Sequence, residues 1–299
     1  MEMAMARSST LMAALLALAL VPAGRVANAE DVPAPIAPVA EAPPEVLPRQ
    51  LLFAPLLADP RWPHFGASLQ NWGGTDDLGT VGAVSLGDAF SLYQAPGLGG
   101  RWGIGLQAAV FALFDLEAES KDLVNADYWV GLPLAWRAGD WAALARIYHQ
   151  SSHLGDEYLL RSTENRRTRL NLSFEAVDLK ISRDFWDSTL RLYGGAGLLF
   201  DKEPDDLKPL MAQWGGELRG PWTFADGFLR PIAALDFQSM EETGWNADLS
   251  ARLGVELTSS TDDDYVVQLT LEYYRGRNPN GQFYTRETEF WGFGMHAYF

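Results

Sequence analysis

Beyond Pro63 the chain alternates apolar and polar residues with a period of two, over stretches longer than most soluble sheets use. The cleanest stretch puts Trp245, Ala247, Leu249, Ala251, Leu253, Val255 and Leu257 on one side, with Asn246, Asp248, Ser250, Arg252 and Glu256 on the other. Successive side chains of an extended strand point to opposite faces, so this is a β-strand with one apolar and one charged face. Ionised side chains at every second position need water or partners. A closed sheet whose apolar face meets lipid and whose charged face lines a polar lumen supplies both.

About twelve such segments follow one another: 64–72, 79–92, 101–114, 126–137, 141–152, 168–183, 188–200, 209–219, 228–238, 245–258, 265–275 and 288–299. The expected fold is all-β, a transmembrane antiparallel β-barrel of about 12 strands occupying residues 64–299. In the sixth segment Leu170, Leu172 and Phe174 give way to Val177, Leu179 and Ile181, a change of phase near Glu175 and Ala176 that a β-bulge would produce. Connection lengths give an independent check, because such barrels have short periplasmic turns and longer outer loops. With the first strand running outward, 115–125, 152–167, 201–208 and 276–287 are the outer loops, and 138–140 and 184–187 are periplasmic turns. The stretches 93–100 and 220–227 fit this alternation less well. An even strand number places both termini in the periplasm.

Ahead of the barrel, Arg7 precedes an apolar run from Leu11 to Val21, and Ala27-Asn28-Ala29 offers a small-residue cleavage site, so residues 1–29 read as a secretory signal peptide. No stretch reaches the roughly 20 apolar residues a membrane-crossing helix needs. Residues 30–48, with prolines at 33, 35, 38, 43, 44 and 48, read as an extended periplasmic tether unable to pair in a sheet. Residues 49–63 mix Leu, Phe and Trp with further prolines and read as an irregular segment at the barrel mouth. The absence of Cys excludes a disulfide framework and speaks against a lipoprotein anchor. With 23 Lys+Arg against 39 Asp+Glu, the net charge of -16 argues against nucleic acid as a partner.

The last segment, Glu289 to Phe299, gathers Trp291, Phe293, Met295, Ala297 and Phe299 on one face. A closing strand that ends on an aromatic residue resembles those of bacterial outer-membrane barrels. The resemblance implies the outer membrane of a Gram-negative-type bacterium, with outer-membrane lipids around the barrel and the barrel-assembly machinery reading the strand that ends in Phe299. A soluble periplasmic sandwich or lipocalin-like barrel would also alternate, but it turns its apolar face inward and has no need of strands this long.

One stretch stands apart, Arg146-Ile-Tyr-His-Gln-Ser-Ser-His-Leu-Gly-Asp-Glu157. The outward parity of Trp141, Ala143, Ala145 and Ile147 continues through His149, Ser151 and His153, leaving Arg146, Tyr148 and Gln150 toward the lumen. A hydroxyl becomes a nucleophile when a base lies within hydrogen-bond reach and a third polar group orients that base. His149 and Ser151, roughly 6.6 Å apart along a strand, suit the first two parts. The spacing resembles the His-x-Ser motif of two families of barrel hydrolases, outer-membrane phospholipase A and the lipid A deacylase. In those families an Asn or Glu about fourteen residues after the His orients it. Here that position is Thr163, so Glu164 and Asn165 are the nearest candidates, and Glu164 shares the parity of Leu170 and Leu172. The residue after Ser151 is Ser152 rather than the Asn of those families. The alternative is a polar row in the headgroup zone that performs no chemistry.

Asp156 and Glu157, in an outer loop, are candidate calcium ligands, although nothing in the sequence requires a cofactor. Arg146, Tyr148, Arg191, Arg252 and Glu256 are expected to line the lumen, with Glu175, Glu217, Arg219, Arg230, Asp236, Asp248 and Glu272. They would serve a conduction path or neutralise one another in a filled interior. Residues 51–63 and 148–157 together resemble an uncharacterised bacterial family of predicted outer-membrane proteins, which implies a location and no activity. The sequence favours a non-enzymatic outer-membrane barrel, either a narrow channel or a structural protein. The alternative is a lipid-facing acyl hydrolase using a Ser/His pair.

Overall fold

The computed structural model describes residues 42–73, 78–161, 170–257 and 266–299. Thirteen strands form one antiparallel sheet: β1 Glu45–Val46, β2 Phe65–Gly73, β3 Thr80–Gly97, β4 Gly100–Asp115, β5 Leu123–Ala138, β6 Trp141–Leu154, β7 Leu172–Phe185, β8 Leu190–Glu203, β9 Leu210–Arg219, β10 Leu229–Met240, β11 Ala247–Leu257, β12 Val266–Arg277 and β13 Glu287–Tyr298. Each strand from β2 to β13 pairs with its sequence neighbours, and β13 returns to β2 with Met295 opposite Ala67 and Phe293 opposite Leu69. The sheet is thus a closed 12-strand barrel with β1 as an appendage. Closure leaves no strand edge in hydrocarbon, where an unpaired peptide group costs several kcal/mol.

The barrel is apolar outside and polar inside. Outward positions such as Leu132, Ile147, Leu179, Leu271, Trp291 and Phe293 are about half exposed, whereas Asp127, Gln268, Glu217 and Asp236 are buried. Inward charges are paired with neighbours on the same or the adjacent strand. Arg146 Nη2 and Lys180 Nζ each lie 2.5 Å from Asp178, Arg219 is 3.2 Å from Glu217, and Arg252 is 3.2 Å from Glu272. Without these partners each charge would be removed from water at a cost of several kcal/mol.

Residues 51–64 fold into this interior as an irregular plug. They enter at the end of the barrel where β2 starts and β13 finishes, and they return there. Prolines 55, 60 and 63 remove backbone donors that a loop in the lumen could not satisfy. The remaining polar groups are met by inward side chains: Arg191 donates to the carbonyls of Ala54 and Pro55, Arg252 donates to the Leu57 carbonyl at 2.5 Å, and Leu57 N donates to Glu217 at 2.8 Å. Leu56, Leu57 and Trp62 are buried, and the Arg146 guanidinium lies 5.1 Å above the Trp62 ring. At the apex Arg61 reaches toward the opposite end, 2.7 Å from Asp127 and 4.0 Å above the Phe111 ring.

Three local expectations differ from the structure. The C-terminal part of the expected tether does pair: β3 outruns β2, and Glu45 and Val46, which lie between prolines, take the vacant edge opposite Gln94 and Tyr93. The stretch 93–100 is mostly strand, because a register shift between Ser91 and Tyr93 lets β3 continue to Gly97, opposite Gly100. The bulge at Glu175/Ala176 exists, but its extra residue, Phe200, is on β8, and β7 keeps one phase throughout. Leu172 and Phe174 therefore face inward, and Glu175 faces outward with Val177, Leu179 and Ile181. The expected signal peptide and residues 30–41 lie outside the described residues.

Candidate functional site

β6 carries the site and is paired along its length with β5 and β7. Its inward residues, Ala142, Leu144, Arg146, Tyr148, Gln150 and Ser152, are buried, while Ile147 and His153 on the outward face are exposed. His149 and Ser151 share that outward face, in the half of the strand farther from the chain ends of the barrel. Register places His149 between Val130 of β5 and Glu175 of β7, and Ser151 between Tyr128 and Ser173.

Glu175 completes the arrangement. Its Oε1 lies 2.9 Å from His149 Nδ1, and both side chains are 39% exposed. A carboxylate accepts from Nδ1–H, so this contact selects the tautomer in which Nε2 carries the free lone pair. Among the described residues neither His149 Nε2 nor Ser151 Oγ has a hydrogen-bond partner, so both are available to one another and to a substrate. In an unliganded site such a bond is often long and tightens when substrate binds. His153 packs edge-on against Tyr128 with ring centroids 5.7 Å apart, an aromatic pair beside Ser151.

Glu175, expected among the lumen charges, instead faces outward beside His149. Glu164 and Asn165, the orienting candidates of the sequence, lie outside the described residues. The orienting candidates rest on an offset of about fourteen residues from His149, taken from the hydrolase families, and that offset does not hold in this chain. The connection runs from 155 to 171, so the residue opposite His149 falls at 175. Carrying the parity of Val177, Leu179 and Ile181 back one more step would have placed Glu175 outward beside His149.

The remaining candidates have clear positions. Arg146, Tyr148, Arg191, Arg252 and Glu256 all point inward and are buried. Arg146 and Tyr148 belong to an aromatic and ionic cluster with Trp129 and Asp178. Arg191 and Arg252 hold the plug, and Glu256 lies 3.5 Å from Arg219. Asp156 and Glu157 are exposed in the first turn of α1, Asp156–Arg161. Among the described residues no three His, Asp or Glu side chains gather as a metal site.

Behind Ser151, on the inward face, Ser152 is gripped from several directions. Its hydroxyl donates to Asp127, directly opposite on β5, and Gln282 Nε2 donates to its carbonyl at 2.8 Å. Asp127 also accepts from Gly281 N at 3.0 Å and from Asn125 Nδ2 at 2.9 Å, besides its ion pair with Arg61. No local sequence pattern reveals this cluster, because its members come from four separate segments.

The fold matches solved outer-membrane barrels. The outer membrane phospholipase A of Escherichia coli aligns with a TM-score of 0.52 at 13% identity, covering 80% of this chain and 92% of that one. The Salmonella typhi outer membrane phospholipase, solved as a dimer with bound calcium, aligns with a TM-score of 0.51 at 13% identity, covering 79% and 91%. A search of curated protein sequences finds no match. A family model described as "Protein of unknown function (DUF1207)" matches residues 20–299. The chain belongs to that family.

Proposed function

We propose that this member of the DUF1207 family is an acyl hydrolase of the outer membrane that attacks ester-linked acyl chains of membrane lipids from the barrel's outer surface. Ser151 is the nucleophile, His149 the general base and Glu175 the residue that orients it. The observation that carries this reading is the 2.9 Å contact between Glu175 and His149 Nδ1 on the lipid-facing side, one strand step from Ser151. A headgroup-zone polar row with no chemistry has no need of a carboxylate at that nitrogen.

The chemistry balances within these three residues. His149 Nε2 takes the Ser151 proton as Oγ attacks the ester carbonyl carbon, and the resulting imidazolium is stabilised by Glu175 through Nδ1. Nε2 then gives that proton to the departing alkoxide, releasing the deacylated lipid and leaving an acyl-serine. Water, deprotonated by Nε2, attacks the acyl-serine, and the proton returns to Oγ as the fatty acid leaves.

The chain end of the barrel is periplasmic in this reading, with the longer loops outside, which puts Ser151 toward the outer leaflet. A channel has less support, because residues 51–64 and the paired lumen charges occupy the interior, and a barrel of this strand number is narrow enough to be filled by side chains. Calcium enters the reading through the exposed carboxylates of Asp156 and Glu157 and through the calcium-bound solved phospholipase, and so becomes a variable of the assay.

The test is release of fatty acid from phospholipid or lipid A vesicles by the purified, folded protein, with calcium and with chelator. The expected result is release that disappears in Ser151→Ala while the barrel keeps its heat-modifiable migration on a gel. No release from either lipid in either condition would sink the hydrolase and return the protein to a structural role.

A further inference from the structure

The inward face of the strand that carries Ser151 is clamped by the plug and by the connection between β12 and β13. We infer that Asp127 is a positioning residue for Ser151, and that Arg61 of the plug and Gly281 of that connection hold Asp127 in place. This inference rests on the hydrolase reading and extends it to residues that never meet lipid.

Asp127 and Asn125 are fully buried, and Ser152 is nearly so. A carboxylate at that depth requires paired cations and donors, and Asp127 has four: the Ser152 hydroxyl, Asn125 Nδ2, Gly281 N and the Arg61 guanidinium. Two of these come from the neighbouring strand and from Asp127's own strand. The other two come from segments remote in sequence, 66 residues before Asp127 for Arg61 and 154 after it for Gly281, where the backbone approaches so closely that an added Cβ would lie 2.8 Å from Ser152 Cβ and Oγ.

Ser151 shares a peptide bond with Ser152, so whatever fixes the backbone at Ser152 fixes the direction of the Ser151 Cα–Cβ bond. The Gln282 bond to the Ser152 carbonyl holds the next peptide, on the other side of the Ser152 Cα. His149 and Glu175 need no such help, since the pairing of β6 with β7 sets their contact. The clamp therefore governs how often Ser151 Oγ sits within reach of Nε2, and it leaves the His149–Glu175 pair unchanged. A misplacement of about 1 Å at a nucleophile costs up to roughly a hundredfold in rate.

The experiment compares mature wild type, Asp127→Asn, Arg61→Met, Arg61→Lys and Gly281→Ala in lipid vesicles, reading kcat, KM and the pH midpoint of kcat on one ester substrate. Variants are scored only where heat-modifiable migration is native, and Gly281→Ala keeps every charge should Asp127→Asn fail to fold. The expected result is a tenfold to hundredfold fall in kcat for Asp127→Asn, Arg61→Met and Gly281→Ala, with KM and the pH midpoint unchanged, and partial rescue in Arg61→Lys. Wild-type kcat in the folded variants overturns the inference while leaving the hydrolase intact. So does a shifted pH midpoint, which would place the effect on His149. A wild type without turnover overturns the hydrolase and this inference with it.

Discussion

At the scale of single residues, the account turns on one carboxylate. Glu175 fixes the His149 tautomer, and the amide of Glu175→Gln can present either a donor or an acceptor to Nδ1, so that tautomer is no longer enforced and the imidazolium loses its counter-charge. The expected loss in kcat is about a hundredfold or more, with little change in KM, by analogy with the loss when a triad carboxylate becomes an amide. Glu175→Asp keeps the charge but withdraws it by one methylene, and should fall between. Steady-state ester hydrolysis measures both, and a wild-type rate in Glu175→Gln would remove Glu175 from the mechanism. His149 and Ser151 were legible in the sequence because parity within one strand is a local property. Glu175 was not, because a residue's partner across a long loop depends on register, and the apolar pair Leu172 and Phe174 imitated a change of phase. Those two side chains are apolar because they pack inside, Phe174 against Tyr148 and Leu172 beside Gly281, rather than against lipid.

At the scale of elements, the plug is the part whose role the sequence left most open. Its mixture of prolines and large apolar residues marked an irregular segment, but nothing local says which inward arginines receive its carbonyls. Those partners lie on β8 and β11, more than a hundred residues away. One consequence concerns the anchoring of the plug. His64, at its end, donates Nδ1–H to the Trp62 carbonyl at 2.6 Å and accepts at Nε2 from His296 Nδ1 at 2.9 Å. Hydrogen exchange over residues 51–64, compared at one pH, should be faster in His64→Ala than in wild type, because that variant loses both contacts at the end of the plug. Equal exchange in the two proteins would contradict this.

At the scale of the whole molecule, the inverted arrangement of polar and apolar residues was readable early. Twelve alternating segments led to twelve strands, since the period of two survives every turn and is set by lipid on one side and water or ion pairs on the other. What a barrel encloses is not periodic, and the filling of the lumen by residues 51–64 emerged only from the fold. Wild-type protein in planar bilayers should show little or no conductance, and removal of residues 49–63 should raise it by opening the space the plug occupies. Equal conductance of the two forms would mean that the plug does not obstruct the lumen.

The central claim is that a serine on the outer wall of this barrel is activated by the imidazole and carboxylate beside it. Reaction of the folded protein in vesicles with a long-chain alkyl fluorophosphonate, followed by peptide mass mapping, tests that claim without knowledge of the natural lipid. The account predicts a single adduct on Ser151 that is lost in His149→Ala and strongly slowed in Glu175→Gln. An unmodified Ser151, or labelling that persists without His149, would contradict it.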